Sequence, residues 1–361
     1  LLTFDMGGTS TDVALIEGEI RLTSEGSIGP WPVAVPMVDM HTIGAGGGSI
    51  AWLDTGGMLQ VGPQSAGAAP GPACYGRGGH LPTVTDANLL LGRLRADAFL
   101  GGGMTLDRAA AEAALGRLAA AMGCSTEAAA LGIVRVANEH MTRALRVISV
   151  QRGVDPRGYT LSSFGGAGGL HVCALAEALN MRRAMVPVQA GVLSALGMLA
   201  TRPGRQLSRT WLGSLAGLDE AELEARFGAL EKSGRRSLEA EGIAAGAIVA
   251  VHSVDLRYLG QSSTLNLPWI GTQQTLAAFG ELHQARYGHT MHVAVELVNL
   301  RVSLRAEAEP LALDRLASGE AAGPAARVKV HGAKAPVPRW ERDRLVPGQC
   351  LEGPALVTET V

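Results

Sequence analysis

Aromatic residues make up only 4% of this 361-residue sequence, so any core must be built from aliphatic side chains and alanine. Cysteine is almost as scarce. Cys74, Cys124, Cys173 and Cys350 stand far apart with no C-x-x-C spacing, which excludes a disulfide scaffold and a thiolate zinc site. That pattern reads as a reduced, cytoplasmic protein. An excess of one charge is also missing. A formal net charge of −2 gives no electrostatic case for nucleic acid or an anionic membrane. The longest apolar stretch, Val192 to Ala200, is too short to span a bilayer, and no signal peptide or solenoid-type repeat is visible. The chain opens in a strand-like run at Leu1 and closes near another, Ala355 to Thr358. It therefore reads as a piece cut at both ends.

What the sequence has in excess is glycine, 48 residues, clustered at Gly7–Gly8, Gly44–Gly48, Gly76–Gly79 and Gly165–Gly169. Clustered glycine between apolar segments marks tight turns or backbone brought close to a ligand. The length, with 47% hydrophobic residues, implies a folded protein of one large or two to three smaller domains. Strand-like runs at Leu1–Phe4 and Val13–Ile16 flank a turn. A loop-rich stretch from 25 to 86 contains Pro30, Pro32 and Pro36, and is too long to be a bare connection. Thr105 and Ser125 are candidate caps of two helices. In the second helix, Ile133, Val136, Ala137, Ala144, Leu145 and Ile148 form one apolar face. The order strand (Thr160–Phe164), helix (Leu170–Leu179), strand (Arg183–Pro187) predicts a layered α/β domain. A composition change near Thr201–Ser208 suggests a boundary, with a domain over 1–205 and an α+β, β-rich region over 206–361. The second region is expected to hold a charged helix at 220–240, a hairpin turning near Gly260 and a helix at 275–287.

The first chemical motif is D-M-G-G-T-S-T-D. Asp5 arrives at the mouth of a tight turn, where Gly7 and Gly8 admit an anion to the backbone and consecutive N–H groups can form an anion-binding nest. Thr9, Ser10 and Thr11 add hydroxyls. Asp5 would repel a phosphate, so its partner there is Mg2+ or the waters of that ion. The bland alternative is a hydroxyl-rich hairpin tip. The second motif, His41 to Ser49, places Gly46, Gly47 and Gly48 before the hydroxyl of Ser49, suited to phosphate or to close backbone contact. Asp39 and His41 are two apart and share a side of a strand; they are either catalytic or paired with each other. The third cluster, containing Gly165, Gly166 and Gly168, follows a strand and precedes a helix. It lacks a full dinucleotide fingerprint, yet a nucleotide moiety can sit on such a turn. Asp86 either caps a helix or acts in catalysis. Cys74 reads as a packed thiol, and the spacing of His283, His289 and His292 does not suit zinc.

Taken in order, the runs F-D-M-G-G-T-S-T-D-V-A-L-I, M-V-D-M-H-T-I-G-A-G-G-G-S-I-A-W, V-G-P-Q-S-A-G-A, P-G-P-A-C-Y-G-R-G-G, P-T-V-T-D-A-N-L-L-L-G-R-L, F-G-G-A-G and G-V-L-S-A-L-G resemble the hydantoinase A/5-oxoprolinase family. The resemblance covers nearly the whole chain. It implies an actin/hexokinase/Hsp70-like nucleotide-binding fold, with residues 5–12 as the second phosphate hairpin and 164–171 as the adenosine-side turn. It further implies ATP and Mg2+ as cofactors and phosphorylation of an amide oxygen ahead of ring hydrolysis. The implied partners are a hydantoinase B-like subunit in a hetero-oligomer and a cyclic amide or ketone substrate. The alternatives are an acetone- or acetophenone-type carboxylase subunit and a non-catalytic nucleotide-gated module. The first phosphate hairpin of the family has no counterpart here. Ala69, Gly169 and Thr201 depart from the usual pattern. The run after His41 lacks a longer insertion associated with 5-oxoprolinases, which favours the hydantoinase type.

Overall fold

The structure, a computed structural model, describes residues 1–23, 26–28, 31–33, 37–97, 99–307 and 319–359. Pro30 and Pro36, noted above, lie outside these residues. The chain divides into two compact units, Leu1–Leu199 with Asp314–Val361, and Ala200–Leu313. The C-terminal stretch thus groups with the first unit, whereas the sequence suggested one region from 206 onward.

In the first unit the strand Leu2–Met6 runs through the middle of a mixed sheet. On one side it pairs in parallel with Thr160–Phe164, which pairs in parallel with Arg183–Met185. On the other it pairs antiparallel with Thr11–Glu17, which pairs antiparallel with Met40–Ile43. Numbered along the chain, with the short Glu19–Ile20 strand set aside, the order is 3-2-1-4-5. Leu2, Phe4 and Met6 alternate inward and are fully buried, as a side-chain period of two requires. The helix Thr126–Ile148 covers that face. Ser125 caps it through the Ala128 N–H, and Ile133, Ala137, Ala144, Leu145 and Ile148 are buried along one stripe. Each fully buried Ile or Leu there contributes roughly 1.5–3 kcal/mol relative to exposure. The preceding helix, Arg108–Met122, starts later than the sequence suggested. Its cap is Asp107, which accepts from the Ala110 N–H, and not Thr105. The loop-rich stretch holds an antiparallel hairpin, Ser49–Leu53 with Leu59–Ser65.

The second unit is an antiparallel sheet in the order Gly204–Ser214, Val295–Ala306, Ile248–Tyr258, Leu265–Pro268. Helices Glu220–Ala240 and Thr272–Tyr287 pack on it around Phe227, Leu256, Phe279, Leu300 and Leu304. The turn near Gly260 forms as expected, with Gly260 in the left-handed region at φ +89°. Gly234 gives the helix its close approach: a Cβ there would lie 2.0 Å from Leu304 Cδ1 and 2.6 Å from Leu207 Cδ1. Among the described residues no single helix is long and apolar enough to cross a membrane.

Candidate functional site

The strand Leu2–Met6 leaves the sheet at Gly7 and returns at Thr11, so the return strand starts earlier than the expected Val13. The turn is closed by the Gly7 N–H donating to the Ser10 carbonyl at 3.1 Å. At its tip the N–H groups of Gly8, Thr9 and Ser10 have no acceptor among the described residues, and Gly8 and Thr9 are exposed. The Thr9 hydroxyl sits 3.4 Å from Ser65 Oγ. Adjacent free N–H groups at a glycine turn are the makings of an anion nest. Thr11, grouped with the hairpin's hydroxyl donors, is not available in the same way. It is buried, and its hydroxyl donates to the Ala45 carbonyl at 2.5 Å.

Two carboxylates flank this tip. Asp5 and Asp12 are directly opposite each other across the antiparallel pair. They therefore point to the same face, with Cβ atoms about 4.5–5.5 Å apart. Asp5 Oδ2 accepts from the Ser194 hydroxyl at 2.6 Å, and Asp12 Oδ1 accepts from the Thr42 hydroxyl at 2.5 Å. The remaining oxygen of each has no hydrogen-bond donor among the described residues. Of these three side chains the sequence motif marks Asp5, and Asp12 and Ser194 join it in the structure. Asp12 was legible as the far end of the same eight-residue motif, and Ser194 as the only hydroxyl in G-V-L-S-A-L-G. Among the described residues no three His, Cys, Asp or Glu side chains gather as a metal cage.

The loop Gly46–Ser49 lies against the hairpin as a buttress. The Gly47 N–H donates to the Gly7 carbonyl at 3.0 Å and the Gly48 N–H to the Gly8 carbonyl at 2.6 Å. The Gly46 N–H donates to Ser49 Oγ at 2.8 Å, and Ser49 is fully buried. The sequence suits these glycines to phosphate or to close backbone contact, and here each N–H has a protein acceptor, two of them on the hairpin backbone. The glycines are required by packing. A Cβ on Gly46 would lie 2.6 Å from the Thr9 nitrogen and 2.7 Å from the Gly8 carbonyl carbon.

The third cluster closes over the same strand end. Gly165 has φ +79°, its N–H donates to the Ala190 carbonyl, and the Ala167 N–H donates to the Met6 carbonyl. Gly168 is buried and would bring a Cβ to 2.6 Å from Ser163 Oγ. Gly166 differs from both: it is exposed, nothing lies within 4 Å of its Cβ position, and its N–H has no acceptor among the described residues. Of the glycines expected to contact a ligand here, Gly166 is the open one, while Gly165 and Gly168 serve close packing.

His41 and Asp86 are placed elsewhere. His41 is directly opposite Val13, whereas Thr42 is opposite Asp12. Side chains alternate along a strand, so His41 is on the other face of the sheet from Asp5 and Asp12. It does not pair with Asp39, which forms an ion pair with Arg152. Asp86 is fully buried and takes the capping role. It accepts from the N–H groups of Ala73 (3.2 Å), Cys74 (2.8 Å) and Thr83 (2.9 Å) and from the Thr83 hydroxyl (2.7 Å). Cys74 is buried beside it, and burial first and the Asp86 charge second push its thiol far above the usual range. That suits a packed thiol and not a nucleophile. His171 is fully buried between Asn138 Oδ1 (2.6 Å) and Asn88 Nδ2 (3.4 Å). Burial, with the Arg93 charge second, holds its pKa at about 4, so the ring is neutral, with Nδ1–H donating to Asn138.

Residues 1–206 match the hydantoinase/oxoprolinase family model. The caprolactamase subunit alpha of Pseudomonas jessenii is 37% identical over 379 residues, taking in 99% of this chain and 54% of that protein. The crystal structure of the ATP-dependent caprolactamase from the same organism superposes with a TM-score of 0.81 at 37% identity, over all of this chain and 55% of that one. A nucleotide-free acetone carboxylase shares the fold, with a TM-score of 0.83 at 24% identity over 99% of this chain and 55% of that one. The chain thus spans about half the length of the proteins it matches. With the family match covering the hairpin, the buttress loop and the third glycine turn, the chain belongs to the hydantoinase/oxoprolinase family.

Proposed function

We propose that these residues form most of the nucleotide-binding part of an ATP-dependent cyclic amidase, acting in the cytoplasm with a hydantoinase B-like partner subunit. The observation that carries the reading is the hairpin tip, where the N–H groups of Gly8, Thr9 and Ser10, without an acceptor among the described residues, lie just beyond the facing carboxylates of Asp5 and Asp12. The strand order 3-2-1-4-5 supports an actin/hexokinase-like lobe, in which a phosphate hairpin joins the first two strands and a nucleotide turn follows the fourth. The Gly165–Gly169 turn stands at that fourth strand, with Gly166 open toward solvent.

The donor set fits a magnesium ion carried with a nucleotide. Such an ion usually takes one or two carboxylates and completes its shell with water and phosphate oxygens, and Asp5 and Asp12 each keep an oxygen with no hydrogen-bond donor among the described residues. Bound there, it would neutralise phosphate charge. The chain's own work is positioning. The Gly8, Thr9 and Ser10 N–H groups and the Thr9 and Ser10 hydroxyls hold the phosphates, and Ser194 fixes the Asp5 carboxylate. The activated group is the amide oxygen of a lactam-type ring, which phosphorylation turns into a leaving group before hydrolysis. The test is phosphate release by the full-length protein and its partner subunit, with ATP, Mg2+ and a panel of caprolactam, hydantoin and 5-oxoproline. Substrate-stimulated release with ring opening is expected. Stimulation by a ketone with bicarbonate, and not by any cyclic amide, would replace this reading with a carboxylase.

A further inference from the structure

Thr85 has no place in the nucleotide reading, yet it makes a double contact with the buttress. Its N–H and its hydroxyl both donate to the Gly47 carbonyl, each at 2.8 Å. Thr85 stands in the first turn of the helix Val84–Leu90, whose N-terminus is locked by the Thr83–Asp86 capping box. Gly47 in turn donates to the Gly7 carbonyl and Gly48 to the Gly8 carbonyl. A trans peptide is planar, with its C=O and N–H pointing in opposite directions. The Gly7 carbonyl and the Gly8 N–H belong to one peptide unit, and the Gly8 carbonyl and the Thr9 N–H to the next. Holding both carbonyls against the buttress therefore turns both N–H groups away from it, side by side, toward open solvent.

We infer that Thr85 is a positioning residue that aims the phosphate-binding N–H groups of Gly8 and Thr9 through Gly47. Gly47 lacks a side chain for a reason tied to the same contact: a Cβ there would lie 2.9 Å from Thr85 Oγ1. This inference rests on the nucleotide reading and assigns the Gly46–Gly48 loop a role in orientation. Thr85→Val keeps the shape and the N–H contact but removes the hydroxyl; Thr85→Ser keeps both donors.

The experiment is calorimetric binding of ATP, ADP and adenosine to the full-length protein, with melting temperature alongside. For Thr85→Val, ATP and ADP should bind about tenfold more weakly, the scale of one lost hydrogen bond. Adenosine should bind as in wild type, and Thr85→Ser should recover the loss. A merely structural Thr85 would lower the melting temperature and weaken all ligands alike, or change binding not at all; either result overturns the inference and leaves the nucleotide reading standing. Wild-type protein that binds ATP no better than adenosine would overturn both.

Discussion

Gly165 and Asp5 occupy space that only one side chain can fill: a Cβ on Gly165 would lie 2.2 Å from Asp5 Oδ1. The same atom would come within 2.5 Å of the Met6 carbonyl oxygen, and the backbone there has φ +79°. Gly165→Ala should therefore displace the carboxylate as well as strain the turn. Misplacing a reacting group by about 1 Å can cost 10²-fold in rate, and a loss of at least that order in ATP turnover is expected. Steady-state phosphate release on a folded variant measures it; turnover near wild type would remove Asp5 from the reaction's geometry.

Asp5→Asn and Asp12→Asn keep the shape of each side chain and remove its charge. Each should reduce Mg-dependent turnover by about 10²-fold or more, the size of a lost electrostatic contribution in a preorganised site, with circular dichroism unchanged. If Asp12→Asn turns over normally while Asp5→Asn does not, the cation is held by Asp5 alone.

Asp86 and His41 give the contrasting case. Asp86→Ala leaves buried donors at Ala73, Cys74 and Thr83 without their acceptor, and should destabilise the fold by about 3 kcal/mol or more. Denaturant midpoints report this. His41→Ala should leave ATP turnover within about twofold of wild type, because its side chain is on the face away from Asp5. A folded Asp86→Ala protein of wild-type stability but no activity would return Asp86 to the chemistry.

His171 predicts a pH dependence of stability. Its folded-state pKa of about 4 lies below the ordinary value of 6.5, so between those limits the unfolded chain binds the extra proton. Stability from this group is complete above 6.5 and falls as pH drops toward 4, at up to about 1.4 kcal/mol per pH unit. Denaturation curves between pH 4 and 7 should show that slope, and His171→Asn should flatten it. An unchanged slope in the variant would assign it to other groups.

The elements were largely legible because their signals are local. Ser125 caps its helix as read, and the strand–turn–strand around Gly7–Gly8 follows from alternating burial and glycine. The roles of the glycines were not legible. Gly46, Gly47 and Gly48 look like donors in isolation, and only the pairing of one loop with another reveals that their N–H groups are spent on Gly7, Gly8 and Ser49. The face on which His41 stands depends on its register with Val13, which no spacing within residues 39–49 encodes. Asp86 was ambiguous for the opposite reason: a capping box and a catalytic carboxylate look the same until the three N–H donors converge on it.

The fit of Gly46 bears on how this protein can change over generations. The atoms that exclude a side chain there are backbone: Thr9 N, Gly8 C and Gly8 O. No substitution elsewhere can shrink them, so a lineage that loses Gly46 has no second-site route back. At Gly234 the nearest atoms in the way belong to the Leu304 and Leu207 side chains, which smaller residues can relieve. A genetic selection starting from a defective Gly234→Ala allele should yield compensating changes at Leu304 or Leu207, whereas one starting from Gly46→Ala should return true revertants alone.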